Sequence, residues 1–147
     1  MPSGQLLTEA GWKDFLFYEM KYEANRFQYE EGWCVRGEHA QSSIEKAMEI
    51  YGFLPNEIAD FADFWDSEFP EAAEMTIYPQ TSRLVPLRIT PKPENFLRVW
   101  FVVEDGCHEP TAPELFSVDR AAYHGAEWGV AITGNLEGPK AMVMGLQ

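Results

Sequence analysis

Apolar residues recur along this chain at two different spacings, and the spacing sorts it into strands and helices. Residues 11–20, Gly-Trp-Lys-Asp-Phe-Leu-Phe-Tyr-Glu-Met, form an aromatic-rich run that predicts a strand. Residues 32–36, Gly-Trp-Cys-Val-Arg, predict its partner, with Tyr22, Phe27 and Tyr29 set among charges in a long hairpin arm or loop between them. A helical period follows. Ser42-Ser43-Ile44-Glu45 matches a capping box, in which Ser42 accepts from the backbone and Glu45 reaches back. Ile44, Ala47, Met48 and Tyr51 then fall on one apolar stripe, and Gly52 is a natural stop. A second helix is expected from Pro55-Asn56, where a missing N–H costs nothing in the first turn. Its stripe is Ile58, Phe61, Ala62, Trp65 and Phe69; Glu57, Asp60 and Asp63 are expected on the opposite side, with Phe64 near that polar face. Pro70 ends it.

The second half has the shorter period of strands. Met75–Tyr78 and Val85–Thr90 are short and β-rich, and Pro86 marks the latter as an edge or a strand start. After a turn at 91–95, Phe96–Val103 is apolar on both faces, as a central strand should be. Residues 104–124 read as loop, Trp128–Thr133 as a final strand, and 134–147 as a tail with no clear period. The expected fold is α+β: an antiparallel sheet with two consecutive helices packed on one face, in a single domain over 1–147 with its core at about 11–133.

Composition sharpens this picture in three places. With 147 residues, 46% of them apolar, one domain can bury a substantial core. No apolar run approaches the ~20 residues of a membrane span, and the N-terminus lacks a signal-peptide layout, so the chain reads as cytoplasmic with no membrane partner. Two cysteines, Cys34 and Cys107, are too few for a disulfide framework and read first as separate thiols; one bridge is the alternative and would require an oxidising compartment.

The net charge is −13, and it is lopsided. Residues 1–75 hold 16 Asp/Glu against 5 Lys/Arg, while residues 76–147 hold 8 against 6. Direct contact with nucleic-acid phosphates needs cations and is therefore disfavoured. A basic protein partner, mimicry of nucleic acid, or plain solubility are the open readings. Between residues 57 and 74 there are seven acids and no base. Glu57, Asp60, Asp63 and Phe64 form the candidate interaction face there.

Several segments, in order, resemble a family of uncharacterised bacterial proteins, many of them exported. Phe15-Leu16-Phe17-Tyr18-Glu19 is similar to that family's "YLFWE", and Gly32-Trp33-Cys34-Val35-Arg36-Gly37-Glu38 to its "GFVVKGE". Asp60-Phe61 with Phe64-Trp65 resembles "DFIVYW". Pro86–Pro93 followed by Leu97-Arg98-Val99-Trp100 resembles "PLEITPKPDSVIRVF", and Glu127-Trp128-Gly129 its closing "EWGG". The resemblance spans roughly residues 11–130. It implies an architecture and no activity.

Two constellations carry candidate chemistry. Cys107-His108-Glu109 places a thiol beside a possible base, but adjacent side chains rarely aim at one point. With His39 and His124 scattered elsewhere, no metal or cofactor is expected. Arg98 shares a strand face with Phe96 and Trp100, where a charge must be paired or lie over aromatic rings. Its candidate partners are Glu19, Glu38 and Glu127, which with Arg36 complete a polar cluster that is either a structural ion pair or the floor of a ligand cleft. The preferred reading is a non-catalytic binding or interaction module. A small hydrolase-like enzyme using the Arg98 and glutamate cluster, and a nucleic-acid mimic that blocks a DNA-binding protein, are the alternatives.

Overall fold

The computed structural model describes residues 6–9, 11–13, 16–19, 23–82, 84, 88, 90, 92, 94–120, 124–133 and 141–145, with the backbone alone at 6–8, 11–13, 16–19, 124 and 141–145. Its strands are β1 (Leu6–Thr8), β2 (Gly11–Lys13), β3 (Leu16–Glu19), β4 (Trp33–Arg36), β5 (Glu74–Gln80), β6 (Asn95–Asp105), β7 (His124–Ile132) and β8 (Ala141–Gly145). Two helices, α1 (Gly37–Tyr51) and α2 (Pro55–Trp65), lie between β4 and β5. β1 and β2 pair as a small hairpin; the other six strands form one sheet in the order β3-β8-β7-β6-β5-β4. The fold is α+β, as expected from the pattern. The sheet is mixed: β6 and β7 run parallel, and the remaining pairs are antiparallel.

β6 holds the interior position that its two apolar faces require. Leu97, Val99, Phe101 and Val103 point to the helices together with Met75 and Ile77 of β5 and Ala126, Trp128, Val130 and Ile132 of β7. The stripes of both helices close over them: Met48, Phe61 and Trp65 have no exposed surface and Tyr51 only 2%. The opposite face carries a second, smaller core of Phe27, Tyr78, Trp100, Val102 and Ala131, covered by Tyr29 and Leu84. The segment around the short 3-10 turn Ala24–Arg26 is thus a lid on the back of the sheet. Gln80 fastens it, accepting from the Gln28 amide at 2.9 Å and donating to the Gln28 carbonyl at 2.8 Å.

Four expectations need correction. α1 begins at Gly37, so Ser42 and Ser43 lie inside it, and their hydroxyls donate back to the carbonyls of His39 and Ala40 instead of capping. The true start is set by tertiary contact. The Gly37 amide donates to Ala73 O at 3.0 Å, and a Cβ at Gly37 would collide with the Ala72 carbonyl. The C-terminus is where the pattern placed it: Gly52 takes φ 102°, and its N–H and that of Phe53 donate to the last carbonyls of α1. Secondly, β3 and β4 are not partners; they form opposite edges of the sheet, because β4 pairs β5 across the helical hairpin and β3 pairs β8. Thirdly, the tail at 134–147 contains β8, which lies between β3 and β7. Fourthly, Cys34 and Cys107 are not separate thiols. They form a disulfide with Cα atoms 5.3 Å apart, joining β4 to the residue after the turn that ends β6. The expected strand at Val85–Thr90 lies largely outside the described residues.

The parallel β6–β7 pair demands a crossover, and no helix among the described residues supplies it. Residues 106–123 make the passage, as an irregular strap over its described part, 106–120. The strap bridges the start of β4, with the Thr111 amide on Glu30 O and the Gly32 amide on Thr111 O, both at 2.9 Å. It then reaches the helix side, where Leu115 and Val118 pack on the main core and the Val118 amide donates to Tyr51 O. No helix among the described residues is long and apolar enough to cross a membrane.

Candidate functional site

Arg98 and Glu127 are directly opposite in the parallel β6–β7 register, on adjacent interior strands. That placement alone puts both side chains on one face, away from the helices. The Arg98 Nε–H donates to Glu127 Oε2, and the Trp100 indole N–H donates to Oε1 at 3.1 Å. The guanidinium carbon lies 5.5 Å from the Trp100 ring centroid. Glu127 has no exposed side-chain surface and Arg98 keeps 18%. A buried carboxylate is tolerated only when its charge and both oxygens are satisfied, and here an arginine and an indole do that together.

Of the five residues expected in this cluster, the structure therefore joins Arg98 and Glu127. Arg36 and Glu38 form a separate surface pair, 3.3 Å apart and mostly exposed, with His39 Nε2 3.5 Å from the same carboxylate. Glu19 lies on β3 opposite Ala141, whereas Glu127 lies opposite Met144, so the two glutamates stand at different levels of the sheet. Trp100, expected on the same strand face as Arg98, completes the cluster by lying under the guanidinium and donating to the carboxylate.

A second buried pair joins residues 63 positions apart that no sequence pattern connects. Arg120, in the strap, makes a bidentate bond to Glu57, with Nη1 to Oε2 at 2.8 Å and Nη2 to Oε1 at 2.6 Å. Their side chains are 6% and 0% exposed. Glu57 Oε2 also accepts the Leu54 N–H at 2.8 Å, so this carboxylate caps α2 at its third residue. Arg120 Nη1 reaches Gly52 O as well, at 3.4 Å. The available signal was a glutamate in the first turn behind a proline, which is a capping position. Nothing in sequence spacing points from there to residue 120.

The candidate interaction face is accordingly smaller than expected. Glu57 leaves it for the interior, because its carboxylate is needed at the helix start. Asp63 is exposed and Asp60 half-buried. Phe64 packs against the core and meets Trp65 edge to face at 4.9 Å. Asp66, Glu68, Glu71 and Glu74 continue the exposed acidic run beyond α2. Gln41 of α1 donates to Asp66 Oδ1 at 2.6 Å. Partial burial raises the pKa of Glu45, and the Asp66 carboxylate beside it adds to the shift. A groove of about 570 Å³ opens next to this run, lined by Gly37, Glu38, Gln41, Phe69, Pro70 and Glu71, with Ala72 closing it.

Cys107-His108-Glu109 offers no free thiol, since Cys107 is bonded. The His108 amide donates to Thr76 Oγ1 at 3.0 Å, and that hydroxyl donates to Gly106 O at 2.6 Å. The His108 ring faces Asp105 O at 2.8 Å and Glu104 at 3.6 Å. Among the described residues no group of three or more His, Cys, Asp or Glu is arranged to hold a metal. Burial pushes the Tyr51 hydroxyl up to about 12, with Glu31 adding a smaller repulsion, and the hydroxyls of Tyr29 and Tyr78 are also raised by burial and then by Glu104. No protein-family model, curated protein or solved structure matches the chain.

Proposed function

We propose that this protein is a non-catalytic interaction module whose acidic helical side docks a basic protein partner. One observation carries the reading. Arg98 and Arg120 spend their charge on buried carboxylates, while Asp63, Asp66, Glu68, Glu71 and Glu74 stand exposed with no lysine or arginine between residues 57 and 74. Such a surface repels phosphate and attracts cationic side chains, most strongly at low ionic strength. The disulfide favours a working place in an oxidising compartment over the cytoplasm expected from the N-terminus, since cytosolic thiols are kept reduced. The resemblance to proteins that are often exported points the same way.

The test is affinity capture from the source cells with the wild-type chain and an Asp63→Asn/Asp66→Asn/Glu68→Gln/Glu71→Gln variant. A basic protein retained by the first, lost by the second and released by added salt supports the proposal. Partners that bind both forms equally, or turnover of an ester or peptide substrate that depends on Arg98, would defeat it.

A further inference from the structure

The strap is held at its two ends by different chemistry. From Leu115 onward it is built into the protein: Leu115 and Val118 pack on the core, the Val118 amide is bonded to Tyr51 O at 3.0 Å, and Arg120 is locked to Glu57. The preceding stretch, 107–114, sends no side chain into either hydrophobic core. Cys107, His108, Glu109, Thr111, Ala112 and Glu114 are exposed. Glu109 takes φ 50°, a left-handed conformation that a non-glycine residue adopts only when its surroundings hold it there. This stretch is held by a few backbone bonds near the surface, at His108 and Thr111, by the exposed His108 ring on Asp105 O and Glu104, and by the disulfide. Both bonded cysteines are exposed residues outside both hydrophobic cores, which places the bridge near the surface, where thiol exchange has access.

We propose that the Cys34–Cys107 disulfide is a reversible clamp on the first half of the strap. A small or protein dithiol attacks one sulfur, the other cysteine leaves as a thiolate that water protonates, and the second thiol of the reductant resolves the mixed disulfide. The protein gains two electrons and two protons, and the dithiol becomes a disulfide. Residues 107–114 then lift from the β4 edge. The Glu30 carbonyl and Gly32 amide lose their Thr111 partners and become free to pair with another strand. The second half stays seated, because the Arg120–Glu57 pair and the Leu115 and Val118 contacts are untouched.

Hydrogen exchange read by mass spectrometry on the full chain tests this, comparing oxidised protein, protein treated with dithiothreitol without denaturant, and Cys34→Ser/Cys107→Ser. The expected result is exchange at least tenfold faster at 107–114 and Gly32 in both reduced forms, with Val118 and the central strands still protected after minutes. Reoxidation with oxidised glutathione should restore the original pattern. Unchanged exchange at 107–114 would overturn the proposal, as would reduction that needs denaturant, failure to restore, or exchange of β6 and Val118 as fast as that of 107–114. Should the double serine variant fail to fold, the wild-type chain reduced after folding gives the same reading.

Discussion

Replacing Arg98 by methionine removes the guanidinium from a carboxylate that has no exposed surface. Methionine keeps the length and the apolar stem, so lost packing contributes little. What remains is a Glu127 charge deprived of its cation in the sheet interior. Breaking a buried pair in this way costs about 3–5 kcal/mol. For a chain of this size that corresponds to a fall in Tm of roughly 6–20 °C. The converse change should be milder. Glu127→Gln leaves Arg98 with its 18% exposure, through which it can recover some hydration, and keeps an acceptor for the Trp100 indole. The double variant Arg98→Met/Glu127→Gln should therefore be more stable than Arg98→Met alone, giving a coupling of about 1–3 kcal/mol in a double-mutant cycle. Guanidinium unfolding followed by both tryptophan fluorescence and near-UV circular dichroism measures all four species. If the single costs simply add, or Arg98→Met lies within about 1 kcal/mol of wild type, the pair is not energetically coupled and the reasoning fails.

Three further outcomes are expected. Trp65→Ala should destabilise by about 3–5 kcal/mol, since the ring is fully buried between α2 and the sheet; an unchanged thermal melt would refute this packing. Losing the disulfide releases a loop of 73 residues in the unfolded chain, which in the chain-entropy estimate costs about 4 kcal/mol; denaturation of Cys34→Ser/Cys107→Ser checks this, and a loss below about 1 kcal/mol would contradict it. The Tyr51 hydroxyl at about 12 lies above its unfolded value of about 10. The folded state thus holds this proton where the unfolded chain has lost it, and stability should decline by about 2–3 kcal/mol between pH 10 and 12, being fully present below pH 10. Urea midpoints across that range should fall less steeply for Tyr51→Phe; parallel curves for the two proteins would exclude the assignment.

Elements whose partners lie nearby in the chain, or whose pattern leaves one choice of environment, were legible from residues alone. The α1 and α2 stripes are periodic over several turns, so Met48, Tyr51, Phe61 and Trp65 could be assigned to the core before any fold was known. The two apolar faces of β6 required a covered, interior strand. A guanidinium on one of those faces required a carboxylate, and the requirement narrowed to three glutamates, one of which, Glu127, bonds to it.

What tertiary structure decided was every choice between equivalent partners distant in sequence. Periodicity says that β3 and β4 are strands but not that each pairs elsewhere, because strand pairing depends on which neighbour completes a shared core. β8 has too weak a pattern to be recognised until β3 and β7 flank it. Ser42 offered a good local cap, yet α1 starts earlier, since the Ala72–Ala73 backbone meets Gly37 and supplies the first contact. Composition could not show that Cys34 and Cys107 meet, because only the turn after β6, held over Thr76, brings them together. Glu57 looks like a solvent-facing acid by helical position. It becomes a buried ion-pair partner only because a parallel β6–β7 pair forces a long crossover past the start of α2, and that crossover carries Arg120.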